Sequence, residues 1–508
     1  MTEKSLNPVE LELARNRLEG IAEEIGGVLV STAYSPNIKE RRDCSAALFD
    51  AEARCVAQAA HIPVPLGAMP ASVAAAASLE PQEGEVVMLN DPFAGGTHLP
   101  DITLVSPVFV GEHVGYVATR AHHADVGGTA PGSMPADSRT VHDEGLRIPP
   151  VRLVEDGETN EDILDVFLAN VRGTDERRAD LRAQLSANER GVERLSAYVE
   201  EKEQGTRAFD ALIEYAERRT REEIDSLPDG TYEETERMDG DLCVSVGVEI
   251  DGGSMTVDFS GTSEQDDGNL NAPRAVAESA VAFVVRCVTS DDVPPNAGSL
   301  APVEVKIPSG SLLDPDPPAA VAGGNVETSQ RVVDAVVEAL RGATEVPAQG
   351  QGTMNSVTVG NDGFSYYETV GGGAGASADR DGTDGVHVGM TNTLNTPVEA
   401  LEREYPLRVE EYSLREGSGG GGRQEGGDGI VRSFIVLEDA SVSFLTDRRE
   451  TAPKGAEGGG DGAKGENLVD GENVGGRAVV KVDAGARVEV RTPGGGGYGK
   501  REDNEDDG

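Results

Sequence analysis

Residues 114–128, with the sequence VGYVATRAHHADVGG, place a β-like run directly before a group of polar residues. The run from Val114 to Ala121 contains the β-branched and aromatic residues that are typical of strands. His122 and His123 follow at its end, and then Asp125 and a glycine pair at 127–128, which is the composition of a turn. The stretch predicts a strand that carries chemically active side chains where it ends.

Other short β-like runs flank this one, and each ends in Gly, Pro, Asn or Asp. They cover residues 46–50, 85–89 and 102–110. Two helices interrupt the pattern: an amphipathic one that begins at Asn7 and Pro8 and runs to about Ala33, and an alanine-rich one over 70–79. Residues 1–173 are therefore predicted to form an N-terminal mixed α/β portion.

Changes in composition divide the rest of the chain. Residues 174–230 are highly charged and predict a helical insert of two or three helices. Residues 231–350 alternate between strands and helices, one of which Thr328 could cap, and residues 351–500 are β-like with dense glycine loops. A loose acidic tail is predicted for 501–508. No fixed-period repeat is present, so the expected fold class is α+β and multi-domain, with a β-rich C-terminal half.

The charge balance excludes several kinds of partner. The 508 residues carry 91 Asp plus Glu against 44 Lys plus Arg, a formal net charge of −47. Such a charge repels nucleic acid and anionic membranes, so neither is an expected partner. With only eight lysines and no Trp, the composition favours a salt-adapted cytoplasm. The alternative, disorder, conflicts with the long apolar patterns.

Cysteines and apolar segments limit the location. Cys44, Cys55, Cys243 and Cys287 are widely spaced, which argues against a disulfide framework or a zinc knuckle. No stretch has the roughly 18 consecutive apolar residues of a membrane span, and the N-terminus has no apolar leader segment. A cytoplasmic protein is expected.

Histidines concentrate in the first part of the chain, since six of the seven lie before residue 143. His98 lies in the turn-like run Gly95–Asp101, and His122 and His123 follow their strand. Imidazoles and carboxylates on loops held by a sheet can bind a divalent metal. The alternative is ordinary polar loops. Because adjacent residues of a strand point to opposite faces, at most one of the two neighbouring histidines should be a ligand.

Asp43 and the glycine-rich segments are more ambiguous. Asp43 could be a third ligand or could pair with a neighbouring arginine. Gly323, Gly324 and Asn325 could bind an anion before a helix, although a plain turn and helix cap is the simpler explanation. The run 494–500 fits a phosphate-binding loop only in part, because Arg501 stands where Ser or Thr is needed and no helix is predicted to follow. There is no GxSxG motif, so a serine hydrolase is not expected.

Ten motifs together carry a family resemblance, which runs in unbroken order from about residue 8 to residue 499. They are Arg42-Asp43-Cys44-Ser45, His61-Ile62-Pro63, Leu89-Asn90-Asp91-Pro92, Gly95–Asp101, Arg120–Asp125, Pro131-Gly132-Ser133-Met134, Asp258–Thr262, Gly323–Glu327, Met390–Thr393 and Pro493–Gly499. With these motifs the chain resembles the hydantoinase B/oxoprolinase family. Members of this family are subunits or halves of ATP-dependent cyclic-amide hydrolases and of related ketone carboxylases.

The resemblance implies a site and a division of labour. It implies a divalent metal, Mn or Zn, held by Asp43, His98 and His123, with His122, Asp101 and Asp125 nearby to orient ligands or act in catalysis. It also implies a hetero-oligomer in which a hydantoinase A-type subunit uses ATP and Mg to activate a small cyclic amide, which this chain then hydrolyses.

Two alternatives and two departures remain. The chain could instead be a subunit of an acetone- or acetophenone-type carboxylase, or a structural subunit without catalytic residues. Pro65 stands where many relatives have a second histidine, which puts a role for His61 in doubt. Lys454 stands where an aromatic residue is common.

Overall fold

The computed structural model describes residues 6–60, 65–201, 205–290 and 292–501. His61 and the acidic tail beyond residue 501 lie outside these ranges, so the expectations about them stay predictions.

The N-terminal portion is built on an antiparallel sheet of seven strands in the order β2-β1-β5-β4-β3-β6-β7. Its strands are β1 (Cys44–Asp50), β2 (Cys55–Ala60), β3 (Val86–Leu89), β4 (Asp101–Val110), β5 (Glu112–His122), β6 (Val151–Glu155) and β7 (Glu158–Thr159). Its helices are α1 (Pro8–Thr32), α2 (Pro36–Lys39), α3 (Pro65–Ala77), α4 (Val141–Glu144) and α5 (Glu161–Ala169). The predicted strands and the first helix are confirmed within a few residues.

Helix α1 begins where the sequence predicts it. The Asn7 side chain accepts from the backbone N–H groups of Val9 and Glu10, and the Glu10 carboxylate accepts from the N–H of Asn7. This reciprocal capping satisfies donors that the first turn would otherwise leave open. The buried residues of α1, among them Leu18, Ile25 and Leu29, then pack on one face of the sheet.

Two long helices, α6 (Thr174–Glu201) and α7 (Arg207–Asp225), form the predicted helical segment. They pack in the same apolar cluster as α1, β1 and β5. The approach is close at Gly191, where a Cβ atom would lie 2.6 Å from side-chain atoms of Ile25 and Val117. Helices therefore cover this face of the sheet, while α3 packs against the other face.

The next region is a four-stranded sheet covered by helices, with the strand order β11-β10-β9-β8. Its elements are β8 (Gly230–Arg237), β9 (Cys243–Asp251), β10 (Ser254–Asp258), α8 (Arg274–Val288), α9 (Ala297–Leu300), β11 (Val303–Lys306) and α10 (Ser329–Leu340). Helices α8 and α10 and the inner face of the sheet share one apolar cluster. A π-helical turn over Gly324–Thr328 leads into α10. Thr328 is therefore inside helical backbone and does not cap α10, a correction to the prediction, and its hydroxyl donates to the backbone carbonyl of Leu270.

The C-terminal region packs two antiparallel sheets face to face around one apolar core. The elements are β12 (Ser356–Gly360), β13 (Ser365–Glu368), α11 (Val398–Glu404), β14 (Leu407–Arg415), β15 (Gly429–Val436), β16 (Ala440–Leu445), β17 (Glu466–Val469), β18 (Glu472–Asn473), β19 (Arg477–Val482) and β20 (Arg487–Arg491). The α+β class with a β-rich C-terminal half is thus confirmed, and the domain boundaries stay a prediction.

The glycine-dense segments, predicted as loops, pack side by side. Four segments, 371–375, 419–429, 455–465 and 493–499, are joined by backbone hydrogen bonds, and we call them the glycine bundle. Gly427 N–H donates to Ala374, Gly495 N–H to Gly427 and Gly497 N–H to Gly460. A Cβ atom on Gly373 would lie 1.9 Å from the carbonyl oxygen of Gly427. Glycine is therefore needed for close backbone approach.

Among the described residues, no helix combines the length and the apolar character that crossing a membrane requires.

Candidate metal centre

Three neighbouring strands bring polar residues to one end of the seven-stranded sheet. Asp43 directly precedes β1, Asp101 begins β4 and His122 ends β5. Because β5 runs antiparallel to both neighbours, these three positions lie side by side. Asp101 and His122 are directly opposite in the ladder, so their side chains share one face of the sheet. His98 reaches the same place from the turn that precedes β4.

Asp101 lies between the two imidazoles. Its Oδ2 atom is 3.2 Å from Nδ1 of His98, and its Oδ1 atom is 3.3 Å from Nδ1 of His122. The hydroxyl of Thr97 donates to Oδ2 at 2.6 Å. Burial alone would raise the pKa of the Asp101 carboxyl, but the His98 and His122 imidazoles hold it well below its usual range. Asp101 is therefore an ionised, oriented carboxylate.

The donor set fits a divalent cation. His98, Asp101 and His122 are all buried, and each offers a ligand atom within 4.8 Å of the others. The Nε2 atoms of both histidines are buried without a hydrogen-bond partner among the described residues. Buried polar atoms without partners are costly, and two imidazoles with a carboxylate are ligands typical of Zn²⁺ and Mn²⁺. The three side chains can therefore hold such an ion.

A small cavity adjoins this group. The volume within it that the centre of a water molecule can occupy is about 30 Å³. By the same measure, one water needs about 10–15 Å³. Asp43 lines it beside the three-residue group, and its backbone carbonyl accepts from the N–H of His122. The remaining wall comes from distant parts of the chain, namely Asn325, Val326, Met354, Tyr367, Thr369, Met390, Thr391 and Thr393.

Tyr367 holds one ligand in position. Its ring stacks on the imidazole of His122 at a centroid distance of 4.9 Å and an interplanar angle of 16°. The guanidinium of Arg41 also lies over this ring, 5.0 Å from its centroid. Neither the aromatic stacking partner nor the threonine wall was predicted from the sequence, although Thr393 belongs to the motif Met390–Thr393.

The structure separates His123 from the other predicted ligands. As expected for adjacent strand residues, its side chain points to the face opposite that of His122. There its Nε2 lies 2.9 Å from Oε1 of Gln184 on α6, and burial lowers the pKa of His123 to about 4. His122, predicted to orient ligands or to act in catalysis, takes the position expected of His123.

Asp125 also lies apart from the group. Its carboxylate accepts from the backbone N–H groups of Gly127, Gly132 and Arg172, and forms an ion pair with the Arg172 guanidinium at 3.0 Å. These contacts use both oxygens to fix the turn after β5. The structure therefore gives Asp125 a role in holding this turn and does not bring it to the cavity.

The three residues predicted to bind an anion divide between two places. Asn325 lines the cavity, and its Oδ1 atom is buried without a hydrogen-bond partner among the described residues. Gly323 and Gly324 instead pack on the segment 269–272, where a Cβ on Gly324 would lie 1.9 Å from the carbonyl oxygen of Asn271. The glycines thus permit the close packing that brings Asn325 to the cavity.

Glu144, which was not predicted as a functional residue, joins this loop to the N-terminal portion. Its fully buried carboxylate accepts from the N–H groups of Val321 and Ala322 and from the Ser138 hydroxyl. Burial raises the pKa of Glu144 to about 7, although these hydrogen bonds and His98 oppose the shift. Glu144 has no neighbouring residues that form a recognisable motif, so the sequence does not indicate this role.

The pKa of Glu144 predicts a measurable effect of pH on stability. Its value in the unfolded chain is near 4.5, so between pH 4.5 and about 7 the folded state binds more protons. Stability therefore decreases as the pH rises through this window. Glu144→Gln removes this contribution, so the free energy of unfolding of the wild type, relative to the variant, should fall by about 2–3 kcal/mol from about pH 5 to about pH 8. The free energies of unfolding would be measured with urea. A difference between wild type and variant that is the same at both pH values would contradict this assignment.

Comparison with known proteins identifies the family. A model of the hydantoinase B/oxoprolinase family matches residues 7–501. The chain belongs to this family. The resemblance drawn from the ten motifs is thereby confirmed, and the family includes enzymes named 5-oxoprolinase and hydantoinase.

Relatives within the family differ in length. The 5-oxoprolinase 1 of Arabidopsis thaliana is 40% identical over 540 residues, and the match covers 98% of this chain but 42% of that protein. A putative D-/L-hydantoinase subunit of the B type, from Pseudomonas sp. strain NS671, is 30% identical, with 98% of this chain and 90% of that protein covered. The chain therefore spans less than half of the plant relative and nearly all of the bacterial one.

Two solved structures share the fold. The ATP-dependent caprolactamase from Pseudomonas jessenii superposes with a TM-score of 0.92 at 28% identity, over 98% of this chain and 92% of that one. A nucleotide-free acetone carboxylase superposes with a TM-score of 0.87 at 18% identity, over 97% and 76% of the two chains. The chain thus has the same fold as a caprolactamase and as an acetone carboxylase.

Proposed function

We propose that this chain is the B-type component of an ATP-dependent cyclic-amide hydrolase that opens a ring such as 5-oxoproline or a hydantoin. The observation that carries the proposal is the buried group of His98, Asp101 and His122, with its unpartnered imidazole nitrogens, in a chain of the hydantoinase B/oxoprolinase family. Such a group is the donor set that metal-assisted hydrolysis requires.

The residues proposed to hold the divalent ion, Mn or Zn, are His98, Asp101 and His122, with Asp43 completing the set from the cavity wall. An ion bound there would lower the pKa of a water molecule and stabilise negative charge that develops on an amide oxygen. Asp101 orients both imidazoles, and Thr97 orients Asp101. Tyr367 packs on His122 and excludes water from its ring face.

The activating step is assigned to an A-type partner. An amide is a poor electrophile. Phosphorylation of its oxygen with ATP and Mg would make the amide carbon susceptible to nucleophilic attack. The run 494–500 does not complete a phosphate-binding loop, because Arg501 stands where Ser or Thr is needed. The plant relative, in which the matched region is 42% of the protein, supports a partner that supplies the rest of the enzyme.

The proposal is tested with the chain co-purified with its A-type partner in high salt. ADP release would be measured with 5-oxoproline, with hydantoin, and with bicarbonate plus a ketone, each offered separately. Release and ring opening with a cyclic amide and without bicarbonate is the expected result. Release only with bicarbonate and a ketone would overturn the hydrolase and favour the carboxylase.

A further inference from the structure

A buried arginine beside the cavity has no acidic partner. The Arg41 side chain is 1% exposed, and its terminal nitrogens donate only to neutral acceptors. Nη1 donates to the backbone carbonyl of Tyr367 at 2.9 Å and to Asn37 at 3.4 Å. Nη2 donates to the hydroxyls of Thr369 and Thr393 at 3.1 and 3.4 Å. Among the described residues no carboxylate forms an ion pair with Arg41, although buried charges are normally paired.

Two threonines connect the Arg41 guanidinium to the cavity through hydrogen bonds. Thr369 and Thr393 both line the cavity that holds Asp43, His98, Asp101 and His122. Their hydroxyl oxygens are 2.7 Å apart, so one hydroxyl donates to the other. We call Thr369 and Thr393 the hydroxyl pair.

Counting protons leaves one donor free. The hydroxyl pair has two protons, and each oxygen already accepts from Nη2 of Arg41. One proton is used between the two oxygens, and the second has no acceptor among the described residues. A hydroxyl that accepts from a cation is a stronger donor, because hydrogen bonds polarise one another in a low-dielectric interior.

We propose that the hydroxyl pair, polarised by Arg41, binds an anionic oxygen of the substrate. The inference rests on the proposed function, since it concerns the same cavity, and it adds the class of ligand: a carboxylate or phosphoryl oxygen. A hydrogen bond with a charged donor or acceptor is stronger than one between neutral groups. In addition, a buried cation without a counter-ion attracts an anion nearby.

The position of the hydroxyl pair is fixed independently of any ligand. Thr369 follows the end of β13, while Thr393 lies in a separate segment whose Leu394 N–H donates to the carbonyl of Arg41. Arg41 also packs on the Tyr367 ring, which in turn stacks on His122. Arg41, which polarises the hydroxyl pair, and the candidate metal ligand His122 thus contact the same aromatic ring.

The test compares Thr393→Val, which removes a hydroxyl at nearly constant volume, with Thr393→Ser, which keeps it. Thr358→Val is the matched control, because Thr358 is buried on β12 and does not line the cavity. Each variant would be assembled with the A-type partner and assayed with 5-oxoproline and with 2-pyrrolidinone, the same ring without a carboxylate. Thermal unfolding and bound metal would be measured on the same samples.

The expected result is a loss of about 10-fold or more in kcat/KM for Thr393→Val, with Thr393→Ser and Thr358→Val near the wild type and metal content unchanged. A loss of kcat/KM confined to 5-oxoproline identifies the bound group as the carboxylate of that substrate. An equal loss with both rings identifies it as an oxygen that becomes attached to the ring, or negatively charged, during the reaction. Wild-type rates in Thr393→Val would overturn the inference. Failure of the proposed function would look different: the wild-type complex would open neither ring and would react only with bicarbonate plus a ketone. The same variants would then be compared in that carboxylation reaction.

Discussion

His98→Ala and His122→Ala should each abolish tight binding of a divalent ion, whereas His123→Ala should retain it. The reason is the face of the sheet on which each side chain lies. The Nδ1 atoms of His98 and His122 lie against Asp101, and their Nε2 atoms have no hydrogen-bond partner among the described residues. His123 lies on the opposite face against Gln184. Loss of an outer partner of a metal typically costs 10–100-fold in affinity or activity, so loss of a ligand should cost more than about 100-fold.

The measurement is metal content after dialysis, together with ring opening by the assembled enzyme. His142→Ala is the surface control, since His142 is exposed and outside the cavity. His123→Ala should lower stability by roughly 1–3 kcal/mol, because it leaves the buried Oε1 atom of Gln184 without its partner. A variant of His123 that folds but has lost its metal, or a variant of His122 that keeps it, would contradict the assignment.

Gly373→Ala should prevent the C-terminal region from folding correctly. The added Cβ atom would lie 1.9 Å from the carbonyl oxygen of Gly427 and 2.2 Å from the N atom of Gly495. Both contacts are with backbone, so no side chain can rotate to relieve them. Overpacking a core costs about 1–3 kcal/mol where side chains adjust, and we expect more than about 3 kcal/mol here.

Gly421→Ala is the control for this prediction. Gly421 belongs to the same glycine bundle, but a Cβ atom there would meet nothing within 4 Å. Denaturant unfolding and the yield of folded protein would be compared for the two variants. Wild-type stability in Gly373→Ala would mean that the glycine bundle does not pack as described.

The sequence predicts those parts of the fold that local patterns determine. Helix α1 follows from the capping residues Asn7 and Glu10 and from its apolar spacing. The strands of the first sheet follow from β-branched runs that end in turn residues. The glycine bundle could not be predicted as packed segments, because glycine density is equally typical of flexible loops and only the tertiary contacts distinguish the two.

The candidate site was predictable in composition but not in detail. The rule of alternating faces shows that only one of His122 and His123 can be a ligand, and the choice depends on which face α6 covers. That is a property of long-range packing. The wall formed by Tyr367, Thr369 and Thr393 is likewise brought to the cavity by the C-terminal region. Arg41 gave no signal beyond its place in the run Lys39-Glu40-Arg41-Arg42.

The most direct measurement is a crystal structure of the chain loaded with Mn²⁺ or Zn²⁺, with anomalous diffraction recorded at the absorption edge of the metal. We expect one strong anomalous peak at about 2.0–2.3 Å from ligand atoms of His98, Asp101 and His122, with Asp43 turned towards it. A peak beside His123, or none at this group in a protein that binds the metal, would contradict the assignment of the metal centre.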